Sequence, residues 1–389
     1  MELSDLVKLN VQRVGIVAGE MSGDILGAGL IYALQALCPS IHFEGIGGKR
    51  MIEAGFQSLF PMDELAVMGL IEPLKRLPRI LSIRRSLFKH FTKHPPDVFI
   101  GIDSPDFNLT LEEKLKQNKI PTIQYVGPTI WAWRAGRVHK IKRAADKVLV
   151  LFPFEKAHYD KMNIPATVVG HTLADEIPLE SSKESARVEL GLPLMAPLVT
   201  LMPGSRKGVM AYLSGPFIQT GVWLQKKIPS VQFLVALANE KRRNEFQSFL
   251  KGCPENLPIT AVVNNTRQAI CAADAVLLSS GTGTLETMLM KRPMVVAYKM
   301  SALTFQLAKR IVKVDHIALP NLLAGERLVP EFIQGDVTPE KMGQALFELL
   351  NKDTTPLIRQ FHKIHLALRQ DASQKAAIEV LKTIKECKK

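Results

Sequence analysis

The chain has 389 residues, 47% of them apolar, and a formal charge of +13 from 50 Lys+Arg against 37 Asp+Glu. That length exceeds what one hydrophobic core normally serves, so two domains are expected. Four scattered cysteines (Cys38, Cys253, Cys271, Cys387) with no CxxC pair exclude a disulfide framework and a zinc site. No apolar run approaches the ~20 residues that cross a bilayer. The start MELSDLVKLN lacks the basic and apolar stretches of a signal peptide. The expectation is a cytoplasmic protein, soluble or peripheral.

Short β-branched runs alternate with helical stretches along the whole chain. In the first half the expected strands are Val14–Ala18, Asp97–Asp103, Thr122–Tyr125 and Lys147–Leu151. In the second half they are Leu198–Met202, Val231–Leu237, Ala275–Ser279 and Met294–Tyr298. Apolar runs with weak alternation suit strands covered on both faces, hence parallel sheets with helical crossovers. A polar stretch, Ala174–Ser185, is the best boundary. The resulting fold is α/β, two Rossmann-like domains facing a cleft. Domain one is expected over 1–175 and domain two over 176–354, with 355–389 returning toward the first. Ligands in such sheets bind beyond the carboxyl ends of the strands.

The charge is uneven: residues 1–180 carry 22 Lys+Arg against 20 Asp+Glu, and residues 181–389 carry 28 against 17. A basic surface attracts nucleic acid, anionic lipid or phosphorylated small molecules. No zinc-finger, RNA-recognition or basic-zipper pattern is present, so nucleic acid is not expected as a partner.

Four strand ends carry chemistry. After the first strand, Ala18-Gly19-Glu20-Met21-Ser22-Gly23-Asp24 is either a ligand approach to a helix N-terminus or a plain tight turn. In Gly101-Ile102-Asp103-Ser104-Pro105-Asp106, Asp103 ends a strand, where a carboxylate could take a proton from a bound hydroxyl, while Asp106 could cap the next helix. In Met202-Pro203-Gly204-Ser205-Arg206, Arg206 is either a phosphate grip or a surface arginine. Ser279-Ser280-Gly281-Thr282-Gly283-Thr284-Leu285-Glu286 reads as a diphosphate cradle, Glu286 reaching ribose hydroxyls, with a capped helix as the bland alternative. Trp131, Trp133 and His171 read as structural. Asp-x-Asp is absent, so no metal and no cofactor are expected, the leaving charge falling to N–H groups and Arg206.

Taken together the segments resemble the lipid-A-disaccharide synthase family of two-Rossmann-domain (GT-B type) glycosyltransferases. The matching stretches are AGEMSGDILGAGL, GIDSPDFN, WAWRAGRVHKI, LFPFEKAHYD, VVGHTLAD, LMPGSRK, SSGTGTLETML and LPNLLAGERLVPEFIQ, in the family's order. Val209 departs from the pattern, standing where members often carry an acid. The resemblance implies an inverting, metal-independent transfer from UDP-2,3-diacylglucosamine to 2,3-diacylglucosamine 1-phosphate. The products would be the β-1′,6-linked disaccharide 1-phosphate and UDP. It implies Asp103 as base, and Arg206, Ser280, Gly281, Thr282 and Glu286 on UDP. Asn321, Glu331 and Gln334 would reach the donor sugar or uridine, and Glu20 and Ser22 would line the acceptor side. A UDP-sugar epimerase of the same fold and a non-enzymatic lipid or nucleotide carrier are the rival readings. The family setting places the chain on the inner face of a bacterial inner membrane and leaves a homo-oligomer open.

Acylated substrates require contact with a membrane surface. Residues 79–93 read as a helix starting after Pro78, with Ile80, Leu81, Ile83, Leu87, Phe88 and Phe91 on one side. Arg79, Arg85, Lys89 and Lys93 lie opposite, and Arg84 falls within the apolar arc. The apolar side is either ordinary core or, with Ile80, Arg84, Arg85, Leu87, Phe88, Lys89 and Lys93, a contact with anionic lipid. Leu65, Val67, Met68, Leu70, Ile71 and Leu74 would add apolar surface nearby.

Overall fold

The structure is a computed structural model that describes residues 6, 9–65, 72–130, 136–253, 257–311 and 314–388. The chain divides into two compact units, Met1–Asp175 with Leu368–Lys389, and Glu176–Ala367.

The first unit holds β1 (Arg13–Ala18), β2 (His42–Ile46), β3 (Gln57–Ser58), β4 (Val98–Ile102), β5 (Thr122–Tyr125), β6 (Lys147–Val150) and β7 (Ala166–Val168), in the order 3-2-1-4-5-6-7. The second holds β8 (Leu198–Met202), β9 (Gln232–Leu237), β10 (Ile259–Val263), β11 (Ala275–Ser279), β12 (Met294–Tyr298) and β13 (Glu331–Ile333), in the order 10-9-8-11-12-13. Every pairing is parallel, as helical crossovers require. In both sheets the strand order reverses beside the first strand, so the switch points lie between β1 and β4 and between β8 and β11.

The helices that shape the sites are α1 (Met21–Leu37), α2 (Glu72–Lys93), α3 (Pro105–Gln117), α4 (Lys207–Lys227), α5 (Thr282–Leu289), α6 (Leu319–Ala324), α7 (Thr355–Leu368) and α8 (Ala372–Cys387). On one face of the first sheet, Ile100 and Ile102 of β4 pack with Leu30 and Leu34 of α1 and Val380 and Leu381 of α8. On the other, Phe99 packs with Leu87 and Phe91 of α2 and Leu111 and Leu115 of α3. Both faces being dry explains why these strands read as unbroken apolar runs.

Two expectations are corrected. The helix set to begin after Pro78 begins at Glu72 and takes Pro78 inside it. The return to the first unit begins at Leu368 rather than near 355, because α7 is anchored in the second unit. There Phe361 is fully buried, and His365 Nδ1 lies 2.5 Å from Lys291 Nζ. From Leu368 onward the partners belong to the first unit. The Leu368 carbonyl accepts from His171 N–H at 3.3 Å, and Asp175 accepts from the N–H groups of Asp371 and Ala372.

Candidate functional site

At the switch point of the first sheet, β1 delivers Glu20 and β4 delivers Asp103. Gly19 lets the two strand ends approach, since a Cβ there would collide with the Ser104 side chain. Asp103 and Ser104 both have positive φ, 51° and 43°, a left-handed turn that ordinary side chains avoid. Asp103 is half-buried. Burial, then the charge of Glu20, raise its carboxyl above the ordinary aspartate range, against a hydrogen bond from the Ser104 N–H. A carboxylate held at a strand end with a raised proton affinity is suited to general-base work. Asp106 is exposed in the first turn of α3 and paired with Arg137, a helix-terminal role. Glu20 and Ser22 are exposed at the start of α1. His171 is structural: its Nδ1 accepts from Leu173 N–H at 3.1 Å and burial lowers its pKa to about 4.

At the switch point of the second sheet lies a cavity of about 350 Å³, lined by Arg206, Ser280, Gly281, Thr282 and Glu286 among others. The structure thus gathers in one hollow the five residues expected on UDP. Gly204, with φ 118°, turns the chain from β8 into the loop before α4. Ala236 and Ala238 at the end of β9 keep the hollow open. Arg206 is exposed at the start of α4, and Gly281 precedes the first turn of α5. Burial raises the Glu286 carboxyl, opposed by Arg267, whose Nε lies 3.5 Å from it. Arg267 also holds Glu176 at 2.9 Å. Ser205, quoted with Arg206 in the loop after β8, also lines the hollow, whereas Thr266 beside it and Arg267 were missed; the only signal for these two was that Asn264-Asn265-Thr266-Arg267 follows β10.

Asn321, Glu331 and Gln334 bond to one another or to neighbouring backbone. Asn321 is fully buried on α6, donating to the Val329 carbonyl at 3.0 Å and to Glu331, and accepting from the N–H groups of Leu328 and Val329 at 2.8 Å. Glu331 accepts from the N–H groups of Ile317 and Ala318. Gln334 accepts from Met300 N–H at 2.7 Å and donates to the Met300 carbonyl at 3.1 Å. They brace the loop that meets the cavity, since Ser280 Oγ donates to the Ile317 carbonyl at 2.9 Å. Asn321 thus ties α6 to the segment that leads into β13.

The apolar face of α2 is core. Leu87, set down as a membrane contact, is fully buried with Ile83 and Phe91, and Ile80 and Phe88 are partly buried against them. Arg84 packs over the Phe107 ring, 5.9 Å from its centre. Arg85, Lys89 and Lys93 of α2 are exposed, as are Arg76, Leu77 and Arg79. Trp131, Trp133, Val67, Met68, Leu70 and Ile71 lie outside the described residues, as does the side chain of Leu74. Among the described residues no three His, Cys, Asp or Glu side chains gather as a metal site, and no helix is long and apolar enough to cross a membrane.

The family model described as lipid-A-disaccharide synthetase matches residues 14–384. The chain belongs to that family. A lipid-A-disaccharide synthase of Vibrio parahaemolyticus is 49% identical over 374 residues, covering 96% of this chain and 99% of that protein. One of Hahella chejuensis is 47% identical, covering 96% and 95%. Family membership makes the chain a glycosyltransferase of lipid A biosynthesis, as the eight matching stretches implied. Among solved structures, the kitacinnamycin glycotransferase aligns with a TM-score of 0.62 at 16% identity, over 96% of this chain and 99% of that one. A UDP-GlcNAc 2-epimerase from Neisseria meningitidis gives 0.63 at 14%, over 95% and 100%. These likenesses show the fold, which is of the GT-B type.

Proposed function

We propose that the chain transfers 2,3-diacylglucosamine from its UDP derivative to the 6-hydroxyl of 2,3-diacylglucosamine 1-phosphate. Asp103 takes the proton of that hydroxyl. The oxygen forms its bond to the anomeric carbon from the face opposite UDP, and the carbon–oxygen bond to the diphosphate breaks with its electron pair leaving on UDP. An α-linked donor thereby gives a β-1′,6 link. The N–H groups at the start of α5 and the Arg206 guanidinium stabilise the departing charge, so neither metal nor cofactor takes part. The family match over residues 14–384 carries this reading, supported by the gathering of Arg206, Ser280, Gly281, Thr282 and Glu286 around one hollow. The two lipid substrates are met at the inner face of the bacterial inner membrane, where the exposed cations of α2 contact anionic lipid.

The test incubates purified enzyme with both acylated glucosamines and follows UDP release and disaccharide by mass spectrometry, with and without EDTA. One disaccharide per UDP at an unchanged rate in EDTA is expected. An isomerised UDP-sugar without disaccharide would overturn the reaction, and EDTA inhibition reversed by Mg²⁺ would overturn metal independence.

A further inference from the structure

Beneath Asp103 the first unit buries a polar cluster. Gly101 of β4 and Gln124 of β5 are register partners, so their side-chain positions share one face of the sheet. Above that face lies α3, with Asn108 and Glu112 one turn apart. A Cβ at Gly101 would collide with the Glu112 carboxyl and lie 2.7 Å from Asn108 Cβ. Glycine at 101 thus leaves the hollow that a carboxyl and an amide fill. Asn108, Glu112 and Gln124 are each 0% exposed.

Both amides reach the Asp103 carbonyl, Gln124 Nε2 also donating to the Val126 carbonyl at 3.2 Å and Asn108 Nδ2 to the Val17 carbonyl at 3.3 Å. The Asp103 carbonyl oxygen accepts from Asn108 Nδ2 at 2.9 Å and from Gln124 Nε2 at 3.1 Å, while the Asp103 N–H donates to the Tyr125 carbonyl at 2.8 Å. Left-handed non-glycine residues cost ~1–3 kcal/mol each and persist only where surroundings over-determine them. Here the surroundings are two buried donors on the turned peptide. The far ends of the cluster are Asn108 Oδ1, Gln124 Oε1 and both Glu112 oxygens, none with a hydrogen-bond partner. An ionised carboxylate would add only acceptors to acceptors; a protonated one supplies an O–H. Burial pushes the Glu112 carboxyl well above its usual range, against the pull of Lys140 and Lys116.

We propose that Asn108, Gln124 and Glu112 form a buried bracket that fixes Asp103 in its left-handed pose, with Glu112 serving as a hydrogen-bond donor. The three are positioning residues that touch no substrate, and the inference rests on Asp103 being the base.

The test compares Asp103→Asn, Gln124→Met, Asn108→Leu, Glu112→Gln and Glu112→Ala by thermal melting, by steady-state kinetics per folded enzyme, and by the acid limb of the kcat–pH profile. Gln124→Met and Asn108→Leu are expected to lower kcat by roughly 10–100-fold, as small misplacements of a reacting group do, with KM for the UDP-sugar unchanged. Their acid limb should move to higher pH, because a loosened turn weakens the Ser104 N–H bond to the carboxylate. Glu112→Gln, which keeps a neutral donor, should restore most of the kcat that Glu112→Ala loses. Parental kcat in Asp103→Asn would remove the base itself. An inactive Asp103→Asn beside a folded Gln124→Met with parental kcat and acid limb would overturn the bracket alone, and should Asn108→Leu fail to fold, Gln124→Met decides. Equal losses in Glu112→Gln and Glu112→Ala would overturn the donor role.

Discussion

Burial and the neighbouring Glu20 raise the proton affinity of Asp103 even though the Ser104 N–H favours its ionised form. With the folded value above the unfolded one, the stability this group contributes is fully present below the ordinary aspartate pKa. It is lost as pH rises through the raised value. Asp103→Asn should therefore melt no lower than the parent at pH 8, with the gap in its favour shrinking toward pH 4, while turnover falls by roughly 10²–10⁴-fold. Calorimetric scans at the two pH values, beside rates, check this; a variant equally destabilised at both would contradict the sign. In the second unit, Arg206→Ala and Glu286→Ala should each weaken UDP binding roughly 10–100-fold, the scale of a lost hydrogen bond to a charged group. Unchanged affinity in both titrations would remove the cradle.

Helix α2 keeps a buried apolar face apart from an exposed basic one. Because Leu87 is fully buried between α2 and the sheet, Leu87→Ala should cost about 2–5 kcal/mol in chemical denaturation. Replacing Arg85, Lys89 and Lys93 together by Glu should leave the melting point nearly unchanged and release the protein from anionic vesicles, as high salt should in the parent. A triple variant that sediments with vesicles like the parent would place docking elsewhere. The long apolar strands were legible because both faces of each sheet are dry; Thr122–Tyr125, Leu198–Met202, Ala275–Ser279 and Met294–Tyr298 match residue for residue. The edge strands β3, β7, β10 and β13 were not, being short or only half-buried, and in β2 an exposed His42 and an internal Glu44 and Gly45 broke the apolar run. Among candidate site residues, strand-end loops pointed to Arg206 and Ser280, which line the second unit's hollow, and to Asp103, which lies at the first sheet's switch point. Nothing in LPNLLAGERLVPEFIQ announced that Asn321, buried on α6, would bond to Glu331 and to the backbone of Leu328 and Val329.

At the scale of the whole molecule, α8 is an integral part of the first unit's core: Ala376, Ala377, Val380, Leu381 and Ile384 are all fully buried there. Polar ties add to it, Glu379 pairing with Lys147 and accepting from Thr167 Oγ1 at 3.0 Å, and Lys388 holding Asp97 at 2.7 Å. Deleting residues 368–388 should therefore unfold the first unit while UDP binding in the second survives, which limited proteolysis and UDP titration on the same truncated protein would separate. A first unit that resists protease after the deletion would show α8 to be dispensable.

The same feature sets a schedule on the ribosome. All seven strands of the first sheet are synthesised before residue 176, yet α8, which completes beside α1 the layer on one of its faces, emerges some two hundred residues later. Until then the face that holds Ile100, Ile102 and Leu149 is covered by α1 but lacks Val380, Leu381 and Ile384. The second unit meanwhile has its whole length available and can fold first. The unit carrying Asp103 is completed last, so a chain cut short before α8 would carry the second unit's hollow beside a first unit with an unfinished core.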